Sequence, residues 1–240
     1  MARARTHEPL VACNARPLTG GVVEATRIFL VRHGETTLSA EDRFAGATDV
    51  PLGPNGREQT EKLAARLAGT GLAAVYASPM RRTRETAAII AAPHRVEVIP
   101  CDGLREINHG HWEGLRRSDV EVRFAEEYRA WVEDPFTFAP RGGEAGVQVV
   151  ARALPVLREI VTAHAGRHVL VVSHKATIRL IVASLLGFDA RGYRDRLDQS
   201  PASLTVLDFK GPVRARLMLF NDVSHYSAEP LEQTPRLSQW

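Results

Sequence analysis

Two short runs constrain this chain more than any other feature. RIFLV (27–31) and HVLVV (168–172) carry one polar residue at the start and are then apolar without interruption. A strand with one wet face alternates polar and apolar residues. A strand apolar on both faces has to be covered on both, which places it inside a largely parallel sheet with helices above and below. The intervening chain supplies those helices. The pattern predicts a helix over about 55–68 with Leu63 and Leu67 inward, then a strand AAVYA (73–77). A second helix is expected to start with Ser78 as N-cap and Pro79 at its first position. A strand RVEVI (95–99) and a loop over 101–117 follow. Helices are expected over roughly 118–133 and 144–164, separated by the breaker-rich DPFTFAPRGGE, and another over about 175–186. SLTVLDF (203–209) and RARLMLF (214–220), joined by Lys210-Gly211-Pro212, read as a hairpin at the sheet's margin. The expectation is one α/β domain over 26–228, a three-layer α/β/α sandwich with a mostly parallel central sheet. It is flanked by a poorly ordered N-terminal extension (1–25) and a C-terminal tail (229–240).

Several function classes are disfavoured before any motif is read. The formal charge is only +3 and no Lys/Arg run reaches five or six residues, so nucleic acid is not expected as a partner. No stretch approaches 18 consecutive apolar residues, so no membrane span is expected. The first 21 residues lack the apolar centre of a secretory signal, which makes the cytoplasm the expected location. Cys13 and Cys101 have neither metal-ligand nor redox spacing, and no cofactor or metal is called for.

In such a fold ligands sit beyond the carboxyl ends of the strands. Three stretches fall there: RHGET after the first strand, SPMRRTRETA after the second, and SHKATIR after HVLVV. Together they bring two histidines and at least two arginines toward one crevice. A phosphoryl group asks for that set. Arginine forks match phosphate oxygens. A neutral imidazole can attack phosphorus. A second, protonated histidine would balance charge on the equatorial oxygens. A carboxylic acid would supply the leaving oxygen's proton.

The motif LVRHGET, followed in order by DRFAGATDVPLGPNGREQ, YASPMRRTRETA, LREINHGHWEGL, PRGGEA and VVSHKATIRLIVASLLG, resembles the histidine phosphatase superfamily, also called phosphoglycerate mutase-like. The resemblance runs from about 27 to 225 and implies the phosphoglycerate mutase-like form of the α/β/α sandwich. It implies Arg32 and Arg82 as phosphate-binding arginines, His33 as nucleophile, Glu106 as proton donor and His174 as the second histidine. The implied reaction is hydrolysis of a small-molecule phosphate ester through phospho-His33, with no metal. The alternatives are a cofactor-dependent phosphoglycerate mutase and an idle phosphate-binding module. INHGHWEGL leads quickly into an acidic helix with Glu121, Glu126 and Glu127, without the insertion the mutases carry, which favours the phosphatase.

Residues around these positions carry further expectations. Arg81 has Glu85 at i+4 and is read as a surface pair. Glu113 is read as fixing its loop through backbone N–H groups, and Trp112 as packing. His109 and His111 could chelate as H-x-H but lack a third partner; His109 is kept as a substrate contact. The family's usual asparagine and glutamine are replaced by Ser39 and Ala45, its serine after GGE by Ala145, and the glycine after SH by Lys175. Ser39 and Lys175 are therefore candidate substrate-binding positions, Lys175 either as an anion contact or as a solvated cation. The terminal hairpin offers an edge through which a homodimer could form.

Overall fold

Along the strand Thr26–Arg32 (β1), Ile28 and Leu30 pack into one apolar cluster while Phe29 and Val31 pack into another, and all four are buried. This two-sided burial is what the uninterrupted apolar run required. The computed structural model describes residues 24–227. Most of the expected extension (1–25), Cys13 and the tail (229–240) lie outside the described residues.

The described sheet has six strands: β1, Ala74–Ala77 (β2), Val98–Pro100 (β3), His168–Ser173 (β4), Leu204–Phe209 (β5) and Ala215–Asp222 (β6). Their order is β3-β2-β4-β1-β5-β6, the first four mutually parallel and β5 and β6 antiparallel. The chain between β1 and β2 forms a short helix Thr37–Ala40 (α1) and the longer Pro54–Leu67 (α2); Arg81–Ala91 (α3) follows β2. Leu63 and Leu67 of α2 and Ala87 and Ile90 of α3 cover one face with Phe29, Val31, Leu170 and Val172. After β3 come Arg117–Arg123 (α4), Ala125–Glu133 (α5) and Gly146–Ala163 (α6), then Lys175–Leu186 (α7) and Tyr193–Arg196 (α8). Val149 and Leu157 of α6, Ile178 and Ile181 of α7 and Tyr193 of α8 cover the other face. The architecture is the α/β/α sandwich the pattern predicts.

Three local expectations change. α3 starts at Arg81 rather than directly after Ser78, whose side chain caps no helix end. The Ser78 amide donates to Val172 carbonyl, prolonging the β2–β4 ladder by a residue, and its hydroxyl is engaged by His174. The helix expected over 118–133 is two, broken at Phe124, whose backbone (φ −132°, ψ 45°) is not helical. The third strand occupies 98–100 instead of 95–99, because Arg95 takes a left-handed turn (φ 57°) and spends the start of the run. Phe44, Trp112, Val120 and Trp131 form a third, smaller cluster under α4 and α5. The hairpin β5–β6 lies at the margin, with β6 as the edge.

Candidate active site

β1 and β4 are adjacent, parallel and in register, with Arg32 opposite Ser173, so both strands deliver their next residues to the same place. The His33 amide donates to Ser173 carbonyl at 3.1 Å, and the ring centroids of His33 and His174 stand 5.2 Å apart. Residues 141 positions apart thus meet because two strand ends coincide.

His33 is buried, and its Nδ1 lies 2.7 Å from the Gly34 carbonyl oxygen. A carbonyl only accepts, so Nδ1 carries the hydrogen and Nε2 keeps a free lone pair. Burial, then the charges of Arg82 and Arg32, hold the imidazole well below its ordinary pKa of 6.5, so the ring is neutral near pH 7. Gly34 is obligatory for packing. A Cβ there would stand 2.3 Å from the Gly56 carbonyl oxygen at the start of α2.

Arg82 is almost fully buried on α3. Its Nη1 donates to Thr48 carbonyl at 2.8 Å and its Nη2 to Ala45 and Gly46 carbonyls at 3.0 Å each. That carbonyl cradle is itself held by Glu113, whose carboxylate accepts from the Gly46, Ala47, Thr48 and His109 amides and the Thr48 hydroxyl. The loop-fixing role read for Glu113 is what the bonds describe. Arg32 donates to Gln199 carbonyl at 2.5 Å, its Nε has no partner, and burial followed by Arg179 pushes its pKa down to about 10.

Glu106, in the loop after Leu104, lays its carboxylate against the first turn of α7. Its Oε2 accepts from the Ala176 amide at 3.1 Å; Oε1 accepts from the Ile107 amide at 2.9 Å and the Thr177 amide at 3.1 Å. Its own backbone is tied by Arg152, which donates to the Gly103, Arg105 and Glu106 carbonyls and forms a two-pronged pair with Glu144. His174, wholly buried, precedes α7; its Nε2 is 2.8 Å from Ser78 Oγ and its Nδ1 has no partner. Burial, then Arg82, His33 and Arg32, hold it well below 6.5, so without a ligand it is neutral rather than the cation expected from composition of the site.

Arg32, His33, Arg82 and Glu106 line one open cleft of roughly 900 Å³, with His174 behind them. The remaining candidates lie along it. Ser39 lines the wall but uses its hydroxyl in α1's first turn, donating to Thr36 carbonyl at 2.9 Å and accepting from the Thr36 amide at 2.9 Å. His109 is partly buried against Phe44 (ring centroids 4.7 Å apart), while His111 turns away toward Arg141 carbonyl and Glu127. Trp112 is fully buried, and Arg81 pairs with Glu85 at 3.1 Å. Lys175 faces the cleft, and burial, then Arg32 and Arg179, push its pKa down to about 7.

Other lining residues escape a motif-based reading. Arg179 could have been found, since it lies one helical turn beyond Lys175. Arg117, Trp131 and Arg194, whose guanidinium sits 3.5 Å over the Trp131 ring, come from helices with no site signature. Among the described residues no group of three or more His, Cys, Asp or Glu is placed to hold a metal ion.

A parallel-stranded sandwich that gathers two neutral histidines and two buried arginines at its strand ends is built for an anion. The match to the family model "Histidine phosphatase superfamily (branch 1)" spans residues 28–223, and the chain belongs to that superfamily. It is similar to phosphoserine phosphatase 1 of Hydrogenobacter thermophilus, 36% identical over 163 residues, which cover 68% of this chain and 77% of that one. It is 34% identical over 209 residues to a bifunctional protein of Mycobacterium tuberculosis, covering 86% of this chain but 57% of that protein's length. The solved structure of Bacillus stearothermophilus YhfR superposes with a TM-score of 0.79 at 31% identity, covering 84% of this chain and 99% of that one.

Proposed function

We propose that the chain is a phosphomonoesterase that hydrolyses a small-molecule phosphate ester through a phosphohistidine at His33. The observation that carries this reading is the His33 tautomer: Gly34 carbonyl holds Nδ1–H, leaving the Nε2 lone pair beside two buried arginines. Arg32 and Arg82 would take the phosphoryl oxygens, and His174 would give a hydrogen bond or accept a proton as the dianion binds. The Nε2 lone pair attacks phosphorus and the ester P–O bond breaks. Glu106 protonates the departing oxygen. Water then attacks phospho-His33, giving its proton to Glu106 as the P–N bond breaks, and inorganic phosphate leaves. Kinship with a phosphoserine phosphatase supports hydrolysis of a small phosphate ester.

Hydrolysis of p-nitrophenyl phosphate in excess EDTA tests the reading. Activity is expected to persist under chelation and to disappear in His33→Ala. Brief incubation of the wild type with a phosphorus-labelled ester should leave acid-labile, alkali-stable label on the protein. Activity retained in His33→Ala, or label absent from a wild type that turns over, overturns the mechanism.

A further inference from the structure

Seven arginines and lysines line the cleft (Arg32, Arg43, Arg82, Arg117, Lys175, Arg179 and Arg194), against two carboxylates, Asp42 and Glu106. On the phosphomonoesterase reading, a phosphate dianion would take the inner pair, Arg32 and Arg82. Much of the remainder is engaged by the protein: Arg43 binds Glu41 and Gly114 carbonyl, Arg117 pairs with Asp42, and Arg194 stacks on Trp131. Lys175 and Arg179 differ. They stand at i and i+4 on α7 and, among the described residues, share one ion-pair partner, Asp198, whose Oδ1 lies 3.0 Å from Arg179 Nη2 and 3.9 Å from Lys175 Nζ. Asp198 is 66% exposed and divides one oxygen between the two. The Arg179 residue is only 6% exposed, and its Nε has no hydrogen-bond partner. A buried guanidinium with an unfilled donor, on the wall of the cleft that holds His33, is costly unless something else completes it.

We infer that Lys175 and Arg179 form a second-anion subsite, and that the ester this chain prefers carries a carboxylate on its alcohol portion. The resident partner shows the fit, since Asp198 already presents a carboxylate oxygen to both groups. A planar carboxylate can meet a guanidinium edge and an ammonium at once. The inference rests on the phosphomonoesterase reading and deepens it by naming the substrate class.

Two substrate pairs differing chiefly at the carboxylate give the test: phosphoserine against phosphoethanolamine, and 3-phosphoglycerate against glycerol 3-phosphate. The wild type should favour the carboxylate member of each pair by about tenfold or more in kcat/KM, the scale of one charge-assisted hydrogen bond. That ratio should fall toward one in Lys175→Gln and in Arg179→Gln. Lys175→Arg should keep it, and Asp198→Asn, which removes the competing carboxylate, should raise it. Thermal unfolding of each variant identifies any that fails to fold, and the Lys175 series alone then decides. Equal kcat/KM within both wild-type pairs, or a preference that Lys175→Gln leaves intact, overturns the inference. A third arm compares glucose 1,6-bisphosphate with glucose 6-phosphate. If only this pair shows a Lys175-dependent preference, the second anion is a phosphate and the carboxylate assignment is wrong. Failure of the parent reading looks different, as no ester in any pair would be hydrolysed. Calorimetric titration with phosphoserine and phosphoethanolamine would then still measure the subsite by affinity, and equal affinities would reject it.

Discussion

At the scale of single residues the site works by holding ionisable groups away from their usual states. His33 is neutral because protonating it would add a cation to a buried pocket that already contains Arg32 and Arg82. Its pKa lies below 6.5, so the proposed nucleophile stays free as pH falls through that value and is lost only in more acidic solution. The pH profile of kcat/KM for p-nitrophenyl phosphate should therefore show no His33 limb at 6.5 or above, after correction for the ester's own second ionisation at roughly 6. Lys175 is shifted the same way, to about 7, by burial and by Arg32, Arg179 and Arg117, with the Asp198 carboxylate acting against them. It is charged below that pH and neutral above it. KM for phosphoserine should rise as pH passes upward through about 7, whereas Lys175→Arg should be flat over the same interval. A wild-type KM for phosphoserine that does not move between pH 6 and 8 contradicts this.

At the scale of elements the geometry depends on loops pinned from behind. Glu113 gathers five donors and fixes the carbonyls that hold Arg82. Glu113→Gln places an N–H₂ where an acceptor is needed, leaving part-buried amides unsatisfied. It should cost about 1–3 kcal/mol in chemical denaturation and raise KM for p-nitrophenyl phosphate. The approach of β1's exit turn to α2 is equally specific. Gly34→Ala forces a methyl to 2.3 Å from Gly56 carbonyl oxygen, so β1's exit or α2 must shift. The expected result is lower kcat together with a lower melting temperature. An unchanged kcat in a folded Gly34→Ala protein would show that His33 tolerates displacement.

At the scale of the whole molecule, packing on and beside the central sheet holds several imidazoles neutral. His33, His109 and His174 are all held below 6.5 chiefly by burial. The unfolded chain therefore binds more protons than the folded one between their folded values and 6.5, and stability falls as pH drops through that window. Denaturation midpoints should decline from pH 7 toward pH 5, and His174→Asn should flatten the decline. Inorganic phosphate, binding only the folded state, should raise the midpoint. Leu30→Ala, in the middle of a strand buried on both faces, should cost about 2–5 kcal/mol.

Much of this was legible before any coordinates. The runs RIFLV and HVLVV, short, rich in β-branched residues and apolar after their first residue, pointed to strands covered on both faces. Ordered motifs pointed to Arg32, His33, Arg82, Glu106 and His174. Arg32, His33, Arg82 and His174 sit at strand ends or the first turns of helices, where local signals place them, whereas Glu106 lies in a loop and was legible only through the family resemblance. Ser78 showed the limit. A serine before proline has the form of an N-cap, yet its hydroxyl serves a histidine 96 positions away. Gln199 and Asp198 carried no signal, because a carbonyl or carboxylate in a loop is ordinary until the chain brings it to a buried arginine. The sequence by itself determined the sheet, its two covers and which chemical groups the strands deliver. Only the tertiary structure decided their charge states, the carbonyl cradle of Arg82 and the shared carboxylate between Lys175 and Arg179. Those properties come from burial and from contacts across long stretches of chain, which no local pattern records.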